Sequence, residues 1–235
     1  MLRNTFMIAV AISFAQSLHA QQVMTSGAMR NVMMGIDLSP TVALDTLTAK
    51  PSLYALGPLE DLKGEITVYN SQVFVSSIKD DTINTVIRPN VSAPFLVYAY
   101  VEGWKEYELD IDISGLQGIE HLIDSLAQVE GRDVNKAFPV MLQADWDWLE
   151  YHIINLKNTK IEHSHAAHDR AKVKFSRSNA PGRLIGFYSQ NHQGVFTHHG
   201  EFLHIHYLNT NFPETGHLDD LEHQGKLKLY LPVLE

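Results

Sequence analysis

Apolar and polar residues alternate along most of this chain, and one long stretch switches to helical spacing. In GEITVYNSQVFVSSI, residues 64–78, Ile66 and Val68, then Val73 and Val75, share a face on either side of a YNSQ turn, which predicts a β-hairpin. APFLVYAYVEGW, residues 93–104, gathers β-favouring residues and predicts another strand. LQGIEHLIDSLAQVEG places Ile119, Leu122, Ile123, Leu126 and Val129 on one helical face and ends at Gly131, with His121 an exposed residue of that helix. Beyond it FPVMLQADW, LEYHIINL, AKVKFSR, GRLIGFYSQ, EFLHIHYLN and KLKLYLP all read as strands. Unbroken alternation in QADWDWLEY puts Trp146 and Trp148 on one face, opposite Asp145 and Asp147. The expected fold class is α+β and β-rich: two packed mixed or antiparallel sheet halves with few helices and a soft division near residue 135.

The amino-terminal residues follow another logic. MLRN carries positive charge, TFMIAVAISFA is a short apolar run, and Ala20 offers a small residue before Gln21, so residues 1–20 read as a signal peptide. The run is shorter than the ~20 residues needed to span a bilayer. The expectation is a secreted or periplasmic mature chain with no membrane contact after cleavage. Residues 21–50 read as an irregular lead-in with one short amphipathic turn, and 51–235 as the functional domain.

Composition narrows the chemistry. The 235 residues include no cysteine, which excludes disulfides, thiolate nucleophiles and iron–sulfur clusters, so any metal must be held by His, Asp or Glu. Net charge is −9 with no run of Lys or Arg, arguing against nucleic acid or an anionic membrane and for a small-molecule substrate. A homodimer is compatible with the sequence. Eleven of the 13 histidines fall between His152 and His223.

The segment FLHIHYLNTNFPETGHLDDL concentrates them. On a strand His204 and His206 project together while Leu203, Ile205 and Tyr207 face the other way, and a turn rich in Asn, Pro and Gly then delivers His217. Three neutral imidazoles with a fourth position open suit catalytic Zn²⁺; a histidine-rich exposed hairpin is the plainer alternative. Imidazole also suits manganese or iron.

Taken together, G-R-L-I-G-F (182–187), the H-x-H strand and Gly216-His217 resemble the C-terminal signature of the acetolactate decarboxylase family, a G-x-x-x-G-F strand, a Y-H-L-H-F-like strand and a G-G-H. L-G-P-L-E-D-L-K-G-E-I (56–66) resembles that family's G-T-F-x-x-L-D-G-E-L segment, and A-P-F (93–95) its S-P-F strand start. The resemblance spans about residues 50–220 and implies an acetolactate-decarboxylase-like fold and a Zn²⁺ enzyme converting 2-acetolactate to acetoin and CO₂. It implies His204, His206 and His217 as zinc ligands and Glu65 as the acid that protonates the enediolate. The sequence also departs from the family. LEYHIINL lacks the family's active-site arginine; the nearest polar residue, His152, is either a carboxylate-binding or proton-transferring group or a hydrogen-bonded core histidine. Pro58 stands where the family has threonine, and the family's tail glutamate has no clear counterpart in the 18 residues after His217. A zinc enzyme for another 2-hydroxy-3-keto acid and a non-catalytic secreted metal-binding protein are the alternative functions.

The remaining histidines are read from context. IEHSHAAHDRA holds His163, His165 and His168 beside Glu162 and Asp169 and reads as a solvated loop rather than a second metal site. His198, His199 and His223 flank the proposed site in sequence and are expected at its mouth.

Overall fold

The computed structural model describes residues 22–157 and 165–234; the expected signal peptide lies outside them. The stretch expected to be irregular carries β1 (Met24–Ser26), α1 (Met29–Met33), β2 (Val42–Ala43) and α2 (Leu44–Thr48). There follow β3 (Leu53–Pro58), a 3₁₀ turn (Glu60–Leu62), β4 (Glu65–Tyr69), β5 (Gln72–Lys79), β6 (Thr82–Ile87), β7 (Ser92–Ala93) and β8 (Leu96–Tyr100). The second half comprises β9 (Trp104–Asp110), β10 (Ile113–Ser114), α3 (Gly115–Val129), β11 (Phe138–Ile154), α4 (His165–Ala171), β12 (Lys172–Tyr188), β13 (Leu203–Asn209), β14 (Thr215–His223) and β15 (Lys226–Pro232).

These strands form a six-stranded sheet, β1-β8-β3-β4-β5-β6, and a seven-stranded sheet, β10-β14-β13-β12-β11-β15-β9. β14 also pairs with β11, so β11, β12, β13 and β14 close into a ring. The chain passes from one sheet to the other between β8 and β9, well before residue 135. One apolar layer lies between the sheets, where Leu56, Phe74 and Val97 meet Met141, Ile185 and Phe187. A second covers the outer face of the seven-stranded sheet with α3, and a third fills the outer face of the six-stranded sheet under Leu44 of α2.

Local sequence explains the elements. The β4–β5 hairpin turns at Asn70 and Ser71, with φ of +47° and +66°, the left-handed pair that a two-residue hairpin requires. Ser71 tolerates this because its hydroxyl accepts from the Leu53 N–H and donates to the Lys50 carbonyl. Helix α3 buries Ile119, Ile123 and Ala127 at four-residue intervals, whereas Val129, expected on the same face, is exposed at the last turn. It stops at Gly131 (φ +67°), where the Gly131 and Arg132 amides return to the Gln128 and Ala127 carbonyls.

The four strands expected around residues 138–188 are two long ones, β11 and β12, paired from Phe138↔Tyr188 to Ile154↔Lys172. Opposite each other near their middle, Asp147 and Asn179 drop out of the ladder, and Asn179 adopts φ +50°. The side chains change faces here. Val140, Leu142 and Trp146 pack in the α3-side core, and past the break it is Leu149 and Tyr151 that do so. Trp148 therefore leaves the face of Trp146, against the expectation of unbroken alternation, and the same inversion turns His152 toward the six-stranded sheet.

Candidate metal centre

The site lies between the two sheets. On β13, Leu203, Ile205 and Tyr207 join the α3-side core, which sends His204 and His206 into the inter-sheet space. His217 on β14 stands directly across from His206 on one side and from His152 on the other. One ligand nitrogen from each of His204, His206 and His217 lies within 4.8 Å of the other two, and the ring centroids are 5.0–5.3 Å apart. The close approach of β14 to β11 depends on Gly216: a Cβ there would lie 2.6 Å from the Tyr151 ring and 2.7 Å from the His152 carbonyl oxygen.

The donor set fits a metal ion. His204 Nδ1 and His206 Nε2 are buried without a hydrogen-bond partner, an arrangement that is costly unless a further group satisfies them. The tautomer of His206 is set from the other side. Thr215 donates to the Tyr207 carbonyl, so its oxygen accepts from the Thr67 hydroxyl at 2.7 Å, and Thr67 in turn accepts from His206 Nδ1–H at 2.8 Å. Nε2 is left with a lone pair facing the cluster, as metal-binding histidines require. Burial pushes the His204 pKa down to about 3, and burial likewise holds His206 and His217 well below the usual imidazole range. All three are therefore neutral, the metal-binding form, at ordinary pH. Phe95 lies parallel to the His204 ring at 6.3 Å.

Glu65 enters at the start of β4. One carboxyl oxygen accepts the Ile154 N–H at 3.2 Å and the other lies 3.9 Å from His206 Nε2. Burial raises its pKa to about 8, so the free protein holds it as the acid at neutral pH. His152 is buried and its Nδ1 is 2.8 Å from an Asp219 carboxyl oxygen; its ring centre is 4.8 Å from that of His217. Glu65, His152, His204 and His217 line a cavity of about 80 Å³. His152 is thus the hydrogen-bonded buried histidine of the second sequence expectation, and it also lines the cavity.

Other wall residues were not foreseen. Met29, Val32 and Met33 of α1 cover the cavity, and only their i, i+3, i+4 spacing signals this in sequence. Pro58, His168 and Lys172 also line it. His168 was expected in a solvated loop but is buried on α4; His163 and Glu162 lie outside the described residues. His198 lines the cavity, and His199 lines an adjoining recess of about 400 Å³. His223 is elsewhere, buried against Trp146 and 3.7 Å from Asp147, so it does not sit at the mouth. His121 is exposed on α3, as expected.

Comparison with known proteins agrees with this architecture. The family described as Alpha-acetolactate decarboxylase matches residues 16–234. No curated protein matches by sequence. The fold is similar to alpha-acetolactate decarboxylase from Bacillus subtilis strain 168, with a TM-score of 0.74 and 14% identity over 91% of this chain and 86% of that one. The enzyme from Bacillus subtilis subspecies spizizenii is similar at TM-score 0.73 and 14% identity, over 91% of this chain and 87% of that one. A Staphylococcus aureus protein of unknown function similar to alpha-acetolactate decarboxylase follows at TM-score 0.71 and 14% identity, over 90% and 85% of the two chains. With the β-rich two-sheet fold, a match over nearly the whole length and a three-histidine centre between the sheets, this chain belongs to the alpha-acetolactate decarboxylase family of decarboxylases.

Proposed function

We propose that this decarboxylase converts 2-acetolactate to acetoin and CO₂ with one Zn²⁺ held by His204, His206 and His217. The observation that carries the reading is the pair of partnerless buried nitrogens, His204 Nδ1 and His206 Nε2, converging with His217. When bound, the ion supplies Lewis-acid charge for the electron pair released as CO₂ leaves. The bond between C2 and the carboxyl carbon breaks, its electron pair passes toward the C3 ketone, and a proton must then reach C2. Glu65 is the donor: its acid form is favoured by burial, the Ile154 amide fixes its orientation, and its second oxygen lies beside the histidine cluster. His152, oriented by Asp219, offers its remaining nitrogen to the substrate oxygens. Met29, Val32, Met33 and Phe95 shield the cavity from water, which protects the carbanion-like species from adventitious protonation.

A different 2-hydroxy-3-keto acid is the second reading, favoured by Pro58 in the cavity wall where a hydroxyl side chain is expected from the family resemblance. The charge and apolar pattern of residues 1–20 supports export and work outside the cytoplasm. The test is acetoin release from racemic 2-acetolactate by residues 21–235, with a chelator and with zinc restored. Chelator-sensitive acetoin supports the proposal; no acetoin from folded, zinc-loaded protein refutes it.

A further inference from the structure

We infer that Lys172 is the anchor for the substrate carboxylate, an inference that rests on the anionic keto-acid reading above. The substrate brings a full negative charge into a space of about 80 Å³ whose described walls are otherwise apolar side chains, imidazoles and Glu65. Lys172 is the one ammonium among those walls. It stands across the β11–β12 ladder from Ile154, the residue whose amide holds Glu65, and is near enough for its charge to act on that carboxyl.

The lysine is held but not consumed by its present partner. Its Nζ lies 3.0 Å from Asp169, whose side chain is 74% exposed whereas that of Lys172 is 25% exposed. A pair with a solvated carboxylate is weak, so a carboxylate in the drier cavity replaces it at little cost. His152 brings a single nitrogen to the substrate oxygens, its Nδ1 being engaged by Asp219, whereas the ammonium brings three donors.

The reaction itself dictates a kinetic signature. Negative charge leaves the carboxyl group as CO₂ forms, so a contact with that group is no stronger in the transition state than in the bound substrate. Lys172→Met should therefore raise KM by roughly tenfold to a hundredfold while kcat is preserved and one zinc per chain is retained, with Lys172→Arg restoring most of the loss. Calorimetric binding to the zinc-loaded protein supplies a reading free of turnover, with 2-hydroxyisobutyrate and its neutral amide as probes. Wild type should prefer the carboxylate, and Lys172→Met should lose most of that preference. A variant that keeps both KM and the preference overturns the assignment, as does wild type without preference. Wild type that shows a Lys172-dependent preference but forms no acetoin supports the anchor and overturns the substrate instead.

Discussion

Thr67 of the six-stranded sheet and His206 of the seven-stranded sheet are joined by a 2.8 Å hydrogen bond across the inter-sheet space. The bond belongs to a relay that ends on the Tyr207 carbonyl, so the pairing of the sheets fixes which His206 nitrogen faces the cluster. Thr67→Val keeps the shape and removes the relay. Zinc affinity, measured by competition with a chromogenic chelator, should fall about tenfold to a hundredfold with the fold intact by circular dichroism. Unchanged affinity would mean that the relay does not orient the ligand.

Glu65 separates chemistry from metal binding. Glu65→Gln should retain one zinc per chain and lose turnover by roughly 10²- to 10⁴-fold, the usual span for a positioned acid. An unimpaired rate removes Glu65 from the mechanism.

The same carboxyl leaves a mark on the stability of the metal-free protein. Its pKa is about 8 when folded, against an ordinary value of 4.5, so between those two pH values the native state binds more protons than the unfolded one. Stability contributed at this position is therefore lost as pH rises from about 4.5 to about 8, at up to about 1.4 kcal/mol per pH unit. Denaturation of metal-free wild type and Glu65→Gln across this window should show the variant gaining relative stability with pH. Parallel profiles would contradict the burial of an uncharged Glu65.

Gly216 sets the spacing of β14 from β11. Gly216→Ala drives a methyl into the Tyr151 ring and, less yieldingly, the His152 carbonyl, so it should cost about 1–3 kcal/mol in denaturant unfolding and weaken zinc retention. Wild-type stability would show that the strands can move apart.

The three-histidine cluster was legible in the sequence because its determinants are local. His204 and His206 share a face by the period of a strand, and Gly216-His217 follows at the start of the next, whereas Glu65 was singled out only by the resemblance of its G-E-I segment. The rest depends on events that periodicity does not encode. His152 faces the site because both long strands invert at Asp147 and Asn179, and Asn179 is one polar residue among several in SRSNAPG. Met29 and Met33 sit on a five-residue helix whose amphipathic pattern is too short to stand out. Lys172 and His168 reach the cavity only through the packing of α4 against the end of β12, a tertiary contact with no repeat to betray it.

One zinc on three histidines is the proposed source of decarboxylation by this chain. The most direct test is a titration of metal-free protein with zinc, with acetoin formation from 2-acetolactate read at each addition. The rate should climb in proportion to zinc and level off at one equivalent per chain in wild type, while His206→Ala stays inactive throughout. A rate that ignores zinc, continues to rise past one equivalent, or survives in His206→Ala would rule out a single catalytic zinc on these histidines.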